Sequence, residues 1–198
     1  GNFLGREDEF KRLVKVEPGV AYNADQVAQT VKAFTDYFGR FGFAFARVEA
    51  RPEINRETRQ VKIVVQGDPS RRAYVRKINI DGNSRTRDEV IRREFRQLEA
   101  SWYDGDKIKL SRDRVDRLGY FKEVNIDTEE VPNAPDQVDI NMTVAEKPTG
   151  SIQVGAGFST YEKLSLQFGV TQENAFGSGN YLGVNVNTSR FNRTLVLN

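Results

Sequence analysis

Two groups of residues have the types and spacing that chemistry could use. Gly177, Gly179 and Gly183 give G-x-G-x-x-x-G, a glycine pattern of the kind that cradles phosphates, and Glu129-Glu130 pairs two carboxylates. Neither has the surroundings it would need. A dinucleotide fingerprint follows a buried strand and opens a helix, whereas these glycines sit in a polar turn, Gly177-Ser178-Gly179-Asn180. The carboxylates have no histidine to work with, because the chain contains neither histidine nor cysteine. The commonest general base, the commonest zinc ligand, every Ser-His or Cys-His nucleophile and every disulfide are missing together. The sequence therefore argues against an ordinary hydrolase, and no enzyme and no catalytic or metal-binding residue is expected.

Charge is the next candidate. Basic residues cluster at Arg71-Arg72, Arg76-Lys77, Arg92-Arg93-Arg96 and Arg112-Arg114-Arg117, with acidic residues interleaved. Thirty basic against 28 acidic residues leave a net charge of +2, without the basic excess of a typical nucleic-acid binder. The clusters read either as solvated helix faces and a hinge, or as contacts for an acidic partner or lipid headgroups. A nucleic-acid-binding repeat would rest on these arginines alone and predicts steeply salt-dependent binding by residues 1 to 148.

The elements that position these residues follow from composition and periodicity. At 198 residues, 38% hydrophobic and 29% charged, the chain suits one or two small folded domains. No run approaches the roughly 18 apolar residues of a membrane-spanning helix, and no signal-peptide pattern opens the chain.

An internal repeat organises most of the chain. At an offset of 81, Gly82-Asn83 falls on Gly1-Asn2, Tyr103-Asp104 on Tyr22-Asn23 and Asp106 on Asp25. At an offset of 77, Leu118-Gly119-Tyr120 meets Phe41-Gly42-Phe43, and Gln137-Val138-Asp139-Ile140 meets Gln60-Val61-Lys62-Ile63. Each copy reads as helix, helix, strand, strand. In the second, Thr86-Arg87-Asp88-Glu89 has capping-box spacing and predicts a helix over about 86–98, with Val90, Ile91, Phe95 and Leu98 on its apolar side. A second helix is expected over about 106–118, burying Ile108, Val115 and Leu118. In the first copy Asn23 is the candidate cap, and Val27, Val31, Phe34 and Phe38 keep helical spacing. Gly42 and Gly119 then close the second helices. The aromatics after them could pack on the core or line a ligand box, and their recurrence in both copies favours the core.

Strands are expected over about 46–51 and 60–66 in the first copy, and about 121–129 and 137–145 in the second. Their connections are Pro52-Glu53-Ile54-Asn55-Arg56-Glu57 and Val131-Pro132-Asn133-Ala134-Pro135-Asp136. Val138, Ile140, Met142 and Val144 alternate along one face. A leading strand at about Tyr74 to Asp81 has no counterpart in the first copy, where it would lie before Gly1.

From Gly150 charge thins out, glycine rises and the period becomes two. Ile152, Val154, Ala156 and Phe158 alternate, then Leu164, Leu166, Phe168 and Val170, then Leu182, Val184 and Val186. Turns containing Glu162-Lys163 and Gly177-Ser178-Gly179-Asn180 separate them. The other face carries Gly155, Gly157, Gln167, Gly169, Asn185 and Asn187, which suits a barrel lumen better than the second packed core of a soluble meander. With Thr194 to Leu197 the segment supplies three or four strands, where a closed outer-membrane barrel needs at least about eight.

Several runs together resemble a known family. Tyr74-Val75-Arg76-Lys77-Ile78, Gly82-Asn83, Arg92-Arg93-Glu94, Arg117-Leu118-Gly119-Tyr120-Phe121, Pro135-Asp136-Gln137-Val138-Asp139 and Glu146-Lys147-Pro148-Thr149-Gly150-Ser151 are similar to the BamA family. Its members are the central subunits of the machinery that folds and inserts β-barrels into the bacterial outer membrane. The resemblance covers essentially the whole chain.

It implies an α+β fold of tandem POTRA (β-α-α-β-β) domains, followed by the first antiparallel strands of an outer-membrane β-barrel. Residues 1–73 would be a POTRA domain lacking its first strand and resembling the fourth, 74–148 the fifth, and 149–198 the incomplete barrel. It further implies POTRA domains in the periplasm, no cofactor and no nucleic acid. The implied partners are BamD-like accessory lipoproteins, unfolded outer-membrane clients that add as strands to a sheet edge, and the bilayer. Arg92, Arg93, Arg96 and Glu99, taken as one helix face, would meet the lipoprotein. Ile152, Val154, Gly155, Gly157 and Phe158, in the first barrel strand, would form the client-binding seam. A two-partner secretion pore that exports one dedicated protein is the alternative.

Overall fold

The computed structural model describes residues 1–161, 163–189 and 193–198. Two helices, α1 (Glu7–Arg12) and α2 (Ala24–Arg40), precede an antiparallel hairpin of β1 (Arg47–Asn55) and β2 (Gln60–Asp68). Next come β3 (Tyr74–Asp81), α3 (Asp88–Arg92), α4 (Gly105–Asp116), β4 (Phe121–Val131) and β5 (Ala134–Glu146), with the strands in a sheet of order β3-β5-β4. Finally β6 (Gly150–Ser159), β7 (Lys163–Ala175), β8 (Asn180–Thr188) and β9 (Arg193–Leu197) form a sheet of order β6-β7-β8-β9. The content is α+β, as the sequence predicts. Of the expected turn at Glu162-Lys163, Glu162 lies outside the described residues and Lys163 opens β7.

The chain divides into two compact units. One comprises Gly1–Asn79, Arg96–Leu110 and Asp127–Ile140; the other comprises Ile80–Phe95, Ser111–Ile126 and Asn141–Asn198.

In the first unit an aromatic cluster organises the core. Phe10 packs with its ring centroid 4.8 Å from Phe38 and 5.0 Å from Phe34, both inward residues of α2. Edge and tilted contacts of this kind add to the large apolar area that each ring removes from water. Phe43, which follows Gly42, packs against the same cluster, so it is a core residue. Further along this unit, Tyr74 and Trp102 stack at 3.8 Å, and the Arg72 guanidinium lies 4.1 Å over the indole while its Nε donates to the Phe41 carbonyl. In the second unit Val90, Ile91, Val115, Phe121, Val124, Met142 and Val144 are buried.

The repeat recurs in the local geometry of both copies. Asn23 accepts from the Asp25 amide at the start of α2, and Asp104 accepts from the Asp106 and Lys107 amides at the start of α4. Gly42 and Gly119 both take positive φ, +94° and +77°, as residues that end helices in the left-handed conformation do. A Cβ on Gly82 would stand 2.0 Å from the Val144 carbonyl oxygen, and one on Gly1 would stand 2.5 Å from that of Gly67. These two pairs are equivalent under the offsets of 81 and 77.

Several expectations need correction. The helix predicted over 86–98 is α3, Asp88–Arg92 only, followed by short-range bonds from Glu94 to Ile91 and from Phe95 to Arg92. Beyond it Gln97 is fully buried and holds a loop, donating to the Leu98 and Trp102 carbonyls and the Ser101 hydroxyl and accepting from the Asp104 amide. Those bonds outcompete a continued helix, and Leu98 is left exposed. The capping box does not form. Arg87 holds the cap position, while the Thr86 hydroxyl accepts from Asn174 and its amide donates to Glu146. Both hairpin connections are tighter than predicted, and Pro52 and Pro135 lie within strands. Asn133 turns the second hairpin with φ +62°, a conformation asparagine tolerates. Asn55 turns the first by accepting from the Glu57 and Thr58 amides. Leu118 is half-buried rather than buried.

Candidate functional site

The C-terminal sheet presents two opposite surfaces because side chains alternate along each strand. The register aligns Ile152 with Val170 and Val184, and Val154 with Phe168 and Val186. Leu195 and Leu197 continue these rows on β9. One face is therefore apolar from edge to edge, and it is bare: Ile152, Val154 and Phe158 are 71%, 75% and 78% exposed. The opposite face pairs Gly155 with Gln167 and Asn187, and Gly157 with Ser165. A contiguous exposed apolar face of this width needs a covering that water does not provide.

The predicted seam residues all fall on β6, with Ile152, Val154 and Phe158 on the apolar face and Gly155 and Gly157 on the polar one. Among the described residues β7 is the only strand bonded to β6. A Cβ on Gly155 would meet only the Gln167 side chain at 3.4 Å, and the strand is thinly packed there.

The charged quartet does not form one helix face. Arg92 ends α3 and pairs with Asp88, its Nε 2.7 Å from Oδ1, and Arg93 follows as the helix cap. Arg96 and Glu99 lie beyond the helix, and a Glu99 carboxylate oxygen accepts the Ile78 amide of β3 at 2.9 Å. The spacing argument assumed two further helical turns that the buried Gln97 prevents.

A polar junction that sequence reasoning missed lies in the second unit. Glu146, the last residue of β5, accepts from the Thr86 amide at 2.7 Å, the Arg85 amide at 3.0 Å and the Ser84 hydroxyl at 2.9 Å. Burial alone would raise the Glu146 pKa, but these donors outweigh it and hold the carboxyl below its usual value. The Thr86 hydroxyl accepts from Asn174 Nδ2 at 2.9 Å, and Asn174 Oδ1 takes the Gly179 amide at 2.8 Å. Gly177 accepts from the Arg87 amide, and the Tyr120 hydroxyl donates to Gly179. The turn between β7 and β8 is thus bonded to residues 85–87 and to Tyr120. The glycine spacing singled out in the sequence serves this approach, since a Cβ on Gly177 would overlap the Arg85 carbonyl.

Among the described residues no group of histidine, cysteine, aspartate or glutamate could hold a metal ion. No helix among the described residues is long and apolar enough to cross a membrane, which says nothing of strands.

The model of the POTRA family, described as a surface antigen variable number repeat, matches residues 1–66 and 73–147. Outer membrane protein assembly factor BamA of Neisseria meningitidis is 37% identical over 182 residues, 92% of this chain and 23% of that protein. The BamA of Nitratidesulfovibrio vulgaris is 30% identical over 91% of this chain and 23% of its own length. The crystal structure of BamA from Haemophilus ducreyi lacking POTRA domains 1–3 superposes with a TM-score of 0.82 at 32% identity, covering 100% of this chain and 37% of that one. The chain thus spans about a quarter of the length of the curated relatives it matches.

Proposed function

The chain belongs to the POTRA family, and on that premise we propose that it is the membrane-proximal part of a factor that folds and inserts β-barrel proteins into the bacterial outer membrane. In this reading residues 1–73 and 74–148 are successive periplasmic POTRA domains, and 149–198 open the barrel. The family match to 1–66 and 73–147 supports that division. The observation that carries the reading is the bare apolar face of β6 to β9, backed by a glycine- and amide-rich face. Hydrocarbon covers such a face without cost, and a barrel lumen accommodates the other.

The work of the protein in this reading is templating. At the seam β6 offers its edge amides and carbonyls to any extended chain, so recognition is nearly independent of client sequence. Ile152, Val154, Gly155, Gly157 and Phe158 make the seam, with the glycines lowering the hold of β6 on its neighbour. A BamD-like lipoprotein docks at the end of α3, which bears Arg92 and Arg93. The two-partner secretion reading has less support, because the relatives matching most of this chain carry the assembly-factor name.

Site-directed cross-linking tests the reading. The chain has no cysteine of its own, so Gln153→Cys places a single thiol on the seam strand. Disulfide trapping with single-cysteine variants of several unrelated barrel clients, in membranes, is the expected outcome. Trapping of one dedicated exported protein alone would select the secretion pore, and trapping of none would reject the seam.

A further inference from the structure

A groove of about 320 Å³ lies in the second unit, lined among others by Arg85, Lys147, Thr149, Gln172 and Phe176. We propose that it binds the anionic phosphate of a membrane lipid headgroup at the edge of the apolar sheet face. The inference rests on the reading of residues 149–198 as membrane strands.

The position of the groove is set by strand register. Gly150, Gln172 and Leu182 align as the row two residues beyond Ile152, Val170 and Val184, and so continue the apolar face to its end. Gln172 therefore belongs both to the last row of that face and to the groove. A molecule in the groove has its polar end where the hydrocarbon-covered surface stops.

The charge is available. Neither Arg85 nor Lys147 has an ion-pair partner among the described residues, although Glu146 lies in the same groove. The Glu146 oxygens are already occupied by Ser84, Arg85 and Thr86 donors, which leaves the cationic side chains uncommitted. Thr149 accepts from Gln172 Nε2 at 2.8 Å, so its own hydroxyl hydrogen is free to donate to an anion.

Phe176 is an independent indication. It holds φ +55°, an unusual conformation for a bulky residue, and is 89% exposed at the tip of the β7–β8 turn. An aromatic ring beside cations at the end of a lipid-facing surface fits the interfacial zone, where rings lie at headgroup level. A soluble phosphate would use the cations and leave the ring in water.

The test uses the intact membrane-embedded protein in phosphatidylcholine nanodiscs doped with phosphatidylglycerol, with retained lipid counted by native mass spectrometry. Wild type retains phosphatidylglycerol preferentially, and Arg85→Gln with Lys147→Gln lowers its affinity roughly thirtyfold at unchanged thermal stability. Phe176→Ala weakens retention of the lipid without altering any weak affinity for inorganic phosphate. Equal retention by wild type and the double variant overturns the proposal. Displacement of the lipid by millimolar inorganic phosphate also overturns it, since the site would then belong to a soluble anion. A fluorophore on Leu166→Cys, quenched by acyl-brominated lipid, checks the membrane reading separately. Quenching there with no lipid preference rejects the groove alone, and no quenching rejects both.

Discussion

Asn174 and Thr86, 88 positions apart, join in a buried hydrogen bond of 2.9 Å from the amide nitrogen to the threonine hydroxyl. The same asparagine fixes its own turn by accepting from the Gly179 amide. One side chain therefore shapes the β7–β8 turn and ties it to the segment before α3.

Asn174→Ala is expected to cost about 1–3 kcal/mol, because it leaves Thr86 and the Gly179 amide short of a partner in a buried place. Thr86→Val should cost a similar amount, and the double variant less than the sum. Urea unfolding of the four proteins of this cycle is the check, and strict additivity would show that the bond does not couple the two segments.

The Glu146 carboxyl carries a pH signature. Its folded pKa lies below the ordinary value of 4.5, so its contribution is complete above that value and is lost as the pH falls through the folded one. Stability measured from pH 6 downward should fall more steeply for wild type than for Glu146→Gln, which is less stable at neutral pH. Parallel pH profiles for the two proteins would contradict this.

Faces of the C-terminal sheet can be separated by one substitution each. Val154→Arg puts a charge on the apolar face and should cost up to about 2–4 kcal/mol in a bilayer. Gln153→Arg, one residue earlier and on the opposite face, should be nearly neutral. Heat-induced unfolding in lipid measures both, and equal costs would argue for a sheet packed in a soluble core.

Lipoprotein docking is tested by Arg92→Glu rather than by Glu99→Lys. Arg92 makes an exposed i,i+4 pair with Asp88, worth only tenths of a kcal/mol, so its reversal should weaken docking at unchanged stability. Glu99→Lys also removes the acceptor of the Ile78 amide and should destabilise the fold by about 1 kcal/mol. Titration of purified lipoprotein against both variants decides it: wild-type affinity for Arg92→Glu removes Arg92 from the docking surface.

Much of the fold was legible because it is written locally. The strand expected at Tyr74 to Asp81 is β3 to the residue, and the alternation of Val138, Ile140, Met142 and Val144 is an unbroken buried row. The helix cap at Asn23 follows from its side chain's reach to the Asp25 amide. Two of the failures have separate causes. Gln97 reads as a solvent-facing helical residue, yet four bonds to backbone and side-chain groups bury it in a loop. Thr86 reads as a cap, yet partners 60 and 88 residues away claim its amide and hydroxyl. No local pattern encodes a partner that distant, which is why the apolar face was foreseen and the Glu146 junction was not.

The close approach of Gly82 to the Val144 carbonyl, and of Gly1 to that of Gly67, also bears on how the two halves diverged. Side chains that merely fill space can drift in concert, and between the copies most of them have. A site where main chain presses on main chain has no such freedom, because no neighbour can shrink to make room. The signature of the duplication is therefore a set of places where a side chain is forbidden, and such forbidden places outlast any preference for a particular one.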